Sequence, residues 1–348
     1  MNRFTHLFAL VALFATLSFF SSCDTGDDGP DVPKKTGVLV INEGNFSNGD
    51  GSLSFYDEEN MTIANNVVKN ANGGANIGGT IQSLTLDDGV GYLLCNAPDK
   101  IEFISADDFK YLANPVTNLS QPRYMAIAGD KGYISCWGPW GPGNSLPKSY
   151  IAVMDLKSRS IVDTLACGSG PEGIVAIDNK LFVANSFETS ISVIDLEHMT
   201  SKKIYLFTFP RHFAVEASGT LWATVASGLY RIDPTTLTKT DSLVVNNAQG
   251  KFAIDGDGKF LYLLTAQAWP GTKTEIYKFD IKNKTLGTSA LVTGDGFYGL
   301  AFNGTTDRLY VGVSPSFSGA GKIYVYNTKG TVIDDADVGV GPNGFAFK

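Results

Sequence analysis

The feature that most constrains this chain is an internal repeat. The phrase Pro-x-x-apolar opens successive units at Pro122-Arg123-Tyr124-Met125, Pro171-Glu172-Gly173-Ile174 and Pro210-Arg211-His212-Phe213. Looser copies begin at Thr80, Gln249 and Gly296, and a last one begins at Pro342. These openings lie 39–49 residues apart, the period range of propeller blades. Within each unit a second apolar strand follows a short polar turn, as in Gly91–Asn96 (GYLLCN) and Lys180–Asn185 (KLFVAN). A third follows, such as Ile151–Asp155 or Ile191–Asp195, and a more polar fourth, such as Ser160–Ala166 or Thr238–Val244. Near-continuous Val, Ile, Leu, Phe and Tyr in the inner strands suits sheets covered on both faces. No segment shows sustained helical periodicity.

The ends of the chain decide how the repeats close. The first unit lacks an opening strand, and Pro342–Phe347 supplies one after the seventh. The expected architecture is therefore all-β: a seven-bladed β-propeller over residues 37–348, closed by a C-terminal strand that completes the first blade. Such closure protects sheet edges that would otherwise pair with other chains.

Residues 1–22 read as a lipoprotein signal peptide. Arg3 precedes a short apolar run from Leu7 to Phe20, too short to span a bilayer. Phe20-Ser21-Ser22-Cys23 resembles a relaxed lipobox, with Cys23 as the acylated residue; an ordinary signal peptide cut nearby is the alternative. Residues 23–36, rich in Asp, Gly and Pro, form an acidic flexible tether. Acidic residues directly after the Cys resemble the surface-export signal of Bacteroidota lipoproteins; a plain solvated linker is the other reading. The expected location is the outer membrane, lipid-anchored and facing outward, with no other membrane attachment.

Net charge −8 without any basic run argues against nucleic acid as a partner. Beyond Cys23 three cysteines remain, Cys95, Cys136 and Cys167, whose spacings match no zinc motif and which are expected as buried free thiols, with one disulfide as the alternative in an exported protein. His198 and His212 are the only histidines after the signal segment, so a His-rich metal site is excluded. No nucleophile elbow or phosphate-binding Gly loop occurs.

Loops after second strands and before first strands share one face around the channel. That face takes the long, aromatic segments: Glu43–Asp50, Trp137–Lys148, Ser186–Thr189, Gln267–Lys273 and Ser314–Gly321. Turns on the opposite face, such as Asp87-Asp88-Gly89, are short and polar. Trp137, Trp140, Phe187, Trp269 and Phe317, with Tyr124, Phe297 and Tyr298 near the rim, are candidate stacking residues; Asn96, Asn185, Arg123 and Arg211 are candidate polar anchors converging on the channel mouth. The competing reading is that the aromatics fold onto one another and merely cap the blades. An alternative Ca²⁺ site would use Glu43, Asn96 and Asn185, with Asn42 and Asn343 as further oxygen donors.

The strand pair Leu181–Asn185 and Ile191–Asp195 resembles the YVTN/YncE-like propeller repeat, a likeness specific for fold and poor for function. With lipobox, acidic tether and aromatic loops, the whole chain resembles BtuG-type surface lipoproteins. That resemblance implies capture of corrinoids (vitamin B12 and analogues) as ligand rather than cofactor, and delivery to a BtuB-type TonB-dependent outer-membrane transporter. No short motif carries binding residues across. A calcium-dependent lactonase-like hydrolase and a surface adhesion propeller remain the alternatives, with sugar binding also open to aromatic plates.

Overall fold

The structure is a computed structural model that describes residues 36–226, 228–245, 250–265, 273–316 and 318–348. The signal segment, most of the tether, Cys23, Trp269 and Phe317 lie outside the described residues.

The repeats fold into seven small antiparallel sheets arranged as a seven-bladed β-propeller. Blade 4 is typical: Pro171–Ile177, Lys180–Asn185, Ser190–Asp195 and Thr200–Tyr205 pair in chain order from the channel outward. Its two middle strands are buried almost throughout, while the outer strand shows only Ile204 buried. Middle strands read as unbroken apolar runs because a neighbouring blade covers each face.

Side chains that alternate across each strand fill two different interfaces. In blade 1, Leu39 and Ile41 pack with Ile81, Leu93 and Ile104 of blade 2. Their neighbours Val38 and Val40 pack with Tyr310, Ile323 and Val325 of blade 7. Seven sheets thus give seven buried clusters, one per interface. An open row of seven sheets would give six.

The closing strand is as expected. Pro342–Phe347 pairs antiparallel with Val38–Asn42, Val38 opposite Phe347 and Val40 opposite Phe345. Polar clasps reinforce the seam between the last and first blades. Tyr56 Oη donates to Asp334 at 2.6 Å. Glu58 accepts from Asn303 Nδ2 at 3.0 Å, from Thr306 at 2.9 Å and from the Tyr310 hydroxyl.

Local departures sit at the periphery. Blade 2 has three strands, its outer edge reduced to single bridges at Val116 and Tyr111. A five-residue helix, Val67–Ala71, precedes it and buries Val67 and Val68 against the blade 1–blade 2 cluster. One turn is too short to register as helical periodicity. Cys95, Cys136 and Cys167 are free thiols, the first two buried.

Candidate functional site

The inner strands carry the site because of one repeated irregularity. In six of the seven blades the register between inner and second strand slips near the channel end, at Ile81/Ser83, Pro122/Met125, Pro171/Ile174, Pro210/Phe213, Phe297/Gly299 and opposite Ile41/Asn42. A bulge places extra residues against one partner and re-aims their side chains. Proline opens four of these strands, which suits a channel-lining edge that needs no N–H there. Adjacent inner strands approach so closely that a Cβ on Gly173 would lie 2.7 Å from the Arg211 carbonyl oxygen.

The bulged residues line a cavity of about 370 Å³ at the head of the channel: Gln82, Arg123, Tyr124, Glu172, Arg211, His212, Tyr298 and Asn343, joined by Lys251 and Phe297. Each blade contributes at least one of them. A second cavity of about 220 Å³ shares Gln82, Tyr124, His212, Lys251 and Asn343 with the first, so these five mark a waist between two halves of the channel.

Electrostatics divide the ring. Arg123 binds Glu172 through two parallel bonds, Nε to Oε2 at 3.0 Å and Nη2 to Oε1 at 2.8 Å. Burial alone would push the Glu172 carboxyl up, yet the adjacent guanidinium holds it below the usual carboxylate range. Glu43 accepts from the Tyr298 hydroxyl and, at 3.5 Å, from Asn343 Nδ2. Burial pushes His212 down to about 4, leaving a neutral imidazole edge-on to Tyr124 at 5.7 Å. Burial likewise lowers Lys251 to about 8; its ammonium meets the Asn343 carbonyl.

Beside the cavity stands an aromatic cluster. Trp137, Trp140 and Phe187 meet edge to face at centroid distances of 5.5–5.8 Å. The Arg123 guanidinium lies 4.1 Å from the Trp137 ring centroid and couples the cluster to the Arg123–Glu172 pair. Trp140 is 50% exposed and Phe187 38%. Mutual packing therefore leaves two open ring surfaces. The Trp137 indole N–H is buried without a partner.

Of the residues singled out by sequence, Arg123, Tyr124, Arg211, Phe297 and Tyr298 line the cavity, and Trp137, Trp140 and Phe187 form the cluster. Phe297 is 8% exposed and packs within the blade 6–blade 7 cluster, so it offers little ring face. Asn96 sits at the rim: with its amide oriented to satisfy both ends, it donates to the Pro122 carbonyl at 2.9 Å and accepts from Arg123 Nη1 at 3.0 Å.

Asn185 does not converge on the mouth. It is fully buried in blade 4, its amide donating to Ser190 at 2.9 Å and Ser192 at 3.0 Å. Asn42 does the same with Ser54 at 2.9 Å. In both blades the facing strand carries Ser-x-Ser, Ser52/Ser54 and Ser190/Ser192, which captures the amide. Blade 2 has Asp99 and Ile101 at those places, so no serine captures Asn96, which is left for Arg123. The alternative calcium set is thereby split, since Asn185 is held by serines and Glu43 by Tyr298 and Asn343. Among the described residues no group of three or more His, Cys, Asp or Glu could hold a metal. Sequence reasoning missed Gln82, Glu172 and Lys251.

Solved structures of the same fold span several chemistries. A quinoprotein alcohol dehydrogenase-like protein from Bacteroides thetaiotaomicron superposes with TM-score 0.66 at 16% identity, covering 90% of this chain and 78% of that one. A protein provisionally described as a 6-phosphogluconolactonase from Bacteroides uniformis gives 0.66 at 14% identity, covering 90% and 100%. Hydrazine synthase of Kuenenia stuttgartiensis gives 0.63 at 17% identity, covering 76% and 88%. At such identities the likeness is one of fold alone. No protein of curated function matches in sequence. Residues 36–346 match the family described as a domain of unknown function, DUF5074, and the chain belongs to that family.

Proposed function

We propose that this protein is a ligand-capture propeller that takes a corrinoid on the face bearing the aromatic cluster and the channel mouth. The observation that carries the reading is the exposed Trp137–Trp140–Phe187 cluster set directly beside a cavity walled by hydrogen-bonding groups. A corrinoid is broad and flat, with apolar ring edges and a fringe of amides. Stiff aromatic plates next to oriented donors suit that chemistry. A cavity of about 370 Å³ admits only part of such a molecule, so the macrocycle would lie across the mouth with a side group directed inward. Anchored through Cys23 at the outer surface, the protein would pass its cargo to a TonB-dependent outer-membrane transporter.

A lactonase-like hydrolase is the second reading, favoured by the fold likeness to 6-phosphogluconolactonase-like proteins. It predicts bound calcium and turnover abolished by chelation. Capture is preferred because Glu172 is committed to Arg123 and Glu43 to Tyr298 and Asn343, so neither of these two carboxylates is free as a general base.

Calorimetry with cobalamin and cobinamide tests the proposal. Saturable 1:1 binding is expected, weakened at least about tenfold by Trp137→Ala or Trp140→Ala, as for an aromatic anchor worth about 1.4 kcal/mol or more. No heat and no thermal shift at micromolar ligand would overturn it.

A further inference from the structure

The channel head has an unbalanced charge. Three cations, Arg123, Arg211 and Lys251, line or face it with two carboxylates, Glu43 and Glu172. Both carboxylates are already engaged, Glu172 bidentately with Arg123 and Glu43 with Tyr298 and Asn343. Among the described residues Arg211 forms no hydrogen bond or ion pair through its side chain, and Lys251 reaches a backbone carbonyl and, at 5.8 Å, the Tyr298 ring, with no carboxylate in direct contact. Lys251 is partly buried, and leaving such a cation without an anionic partner is costly, a cost that an incoming anion relieves. Arg211 is exposed at the mouth, within reach of the same anion.

A second observation points the same way. Asn343 is 2% exposed and lines the cavity, yet its Oδ1 has no donor. Its Nδ2 is spent on the Ile81 carbonyl at 3.1 Å. Exposed Arg211 and partly buried Lys251, neither with an anionic partner, thus flank one buried, unpaired acceptor, an arrangement that suits an anion also carrying an O–H.

We propose that the channel cavity binds a small hydroxylated oxyanion, a hydrogen phosphate or hydroxycarboxylate group, held by Arg211 and Lys251 with its O–H directed to Asn343. Guanidinium and ammonium both suit such oxygens, Arg211 by its planar fork and Lys251 as a point charge. The cavity, near the lower end of the roughly 300–1,000 Å³ typical of metabolite sites, accepts a free anion or the anionic group of a larger molecule. The cavity is the one the corrinoid reading fills with a side group, but the anion inference rests on Arg211, Lys251 and Asn343 and not on the aromatic cluster, so the two fail separately.

Inorganic phosphate titrated calorimetrically into the full chain, in low-salt buffer without corrinoid, is the test. The expected result is saturable 1:1 binding with Kd below about 1 mM. Glycolate should bind more tightly than acetate, which lacks the O–H, and chloride should give no saturation. Arg211→Gln and Lys251→Met should each weaken phosphate at least tenfold, whereas Lys282→Met, on an exposed turn, should not. Asn343→Ala should erase the preference of glycolate over acetate. Phosphate broadening in ³¹P NMR, lost in Arg211→Gln, gives a second readout that needs no altered core residue. A phosphate glycolipid presented in vesicles, against phosphate alone, separates a lipid headgroup from a free anion as the source. Absence of saturable phosphate binding, or equal binding by wild type, Arg211→Gln and Lys251→Met, would overturn the proposal, while leaving the Trp140-dependent cobalamin titration unaffected.

Discussion

Glu172→Gln is the sharpest perturbation of the site that leaves its shape intact. The substitution keeps the side chain's size but removes the charge facing Arg123, whose side chain is 15% exposed against 7% for Glu172. The pair has two short, parallel bonds and no direct replacement anion, since Glu43 is held by Tyr298 and Asn343. Removing one partner of such a buried pair costs about 3–5 kcal/mol, because the other charge stays buried and uncompensated. The double substitution Arg123→Met with Glu172→Gln should recover most of that loss, at the cost of the Arg123 contact beneath Trp137. An internal comparison is Lys259–Asp257, whose side chains are 67% and 68% exposed; Asp257→Asn there should leave the unfolding midpoint in place. Urea denaturation followed by both tryptophan fluorescence and circular dichroism gives the midpoints, with coincident curves licensing the comparison. If Glu172→Gln shifts the midpoint no more than Asp257→Asn, or the double substitution is worse than the single one, the charge-pair argument for the channel fails.

Three further outcomes follow from other parts of the ring. Glu58→Ala strands the Asn303 amide and the Tyr310 hydroxyl at the seam and should cost about 2–4 kcal/mol, with hydrogen exchange rising first in Val38–Asn42 and Pro342–Phe347. An unfolded His212 takes up its proton near 6.5 but the folded one only near 4. Stability should therefore fall by up to about 3 kcal/mol as pH drops from 6.5 to 4 and level off below, and His212→Gln should remove that slope in pH-dependent urea titrations. Lys251 has the opposite window, since an unfolded lysine keeps its proton to about 10.5 and the folded one gives it up near 8. Wild-type stability should thus rise from pH 8 to 10.5, and Lys251→Met should be about 2–3 kcal/mol more stable at pH 7 by thermal or urea unfolding.

Blade number and closure were legible because they depend on properties repeated along the chain. A proline-led opening recurs every 39–49 residues, and Pro342–Phe347 copies the strand the first unit lacks. Trp137, Trp140 and Phe187 were legible too, since loops at that end of the strands share one face whatever their contacts. The channel ring was harder to see. It takes one or two residues per blade, of different chemistry each time, so Gln82, Glu172 and Lys251 look like ordinary strand polars. A usable signal existed: the residue directly after each opening proline is polar or charged, as in Arg123, Glu172, Arg211 and Asn343. The bulge converts that position into channel lining. Asn185 shares the register of Asn96 but not its surroundings, because Ser190 and Ser192 on the facing strand decide where its amide goes.

Hydrogen–deuterium exchange with and without cobalamin tests most directly whether the aromatic, channel-bearing face is where ligand is held. The account predicts slowed exchange in the Trp137–Lys148 and Ser186–Thr189 segments and at the inner-strand starts around Arg123 and Tyr298, with turns Asp87–Gly89 and Asp255–Gly258 unchanged. Protection confined to those opposite-face turns, or none anywhere at saturating ligand, would contradict it.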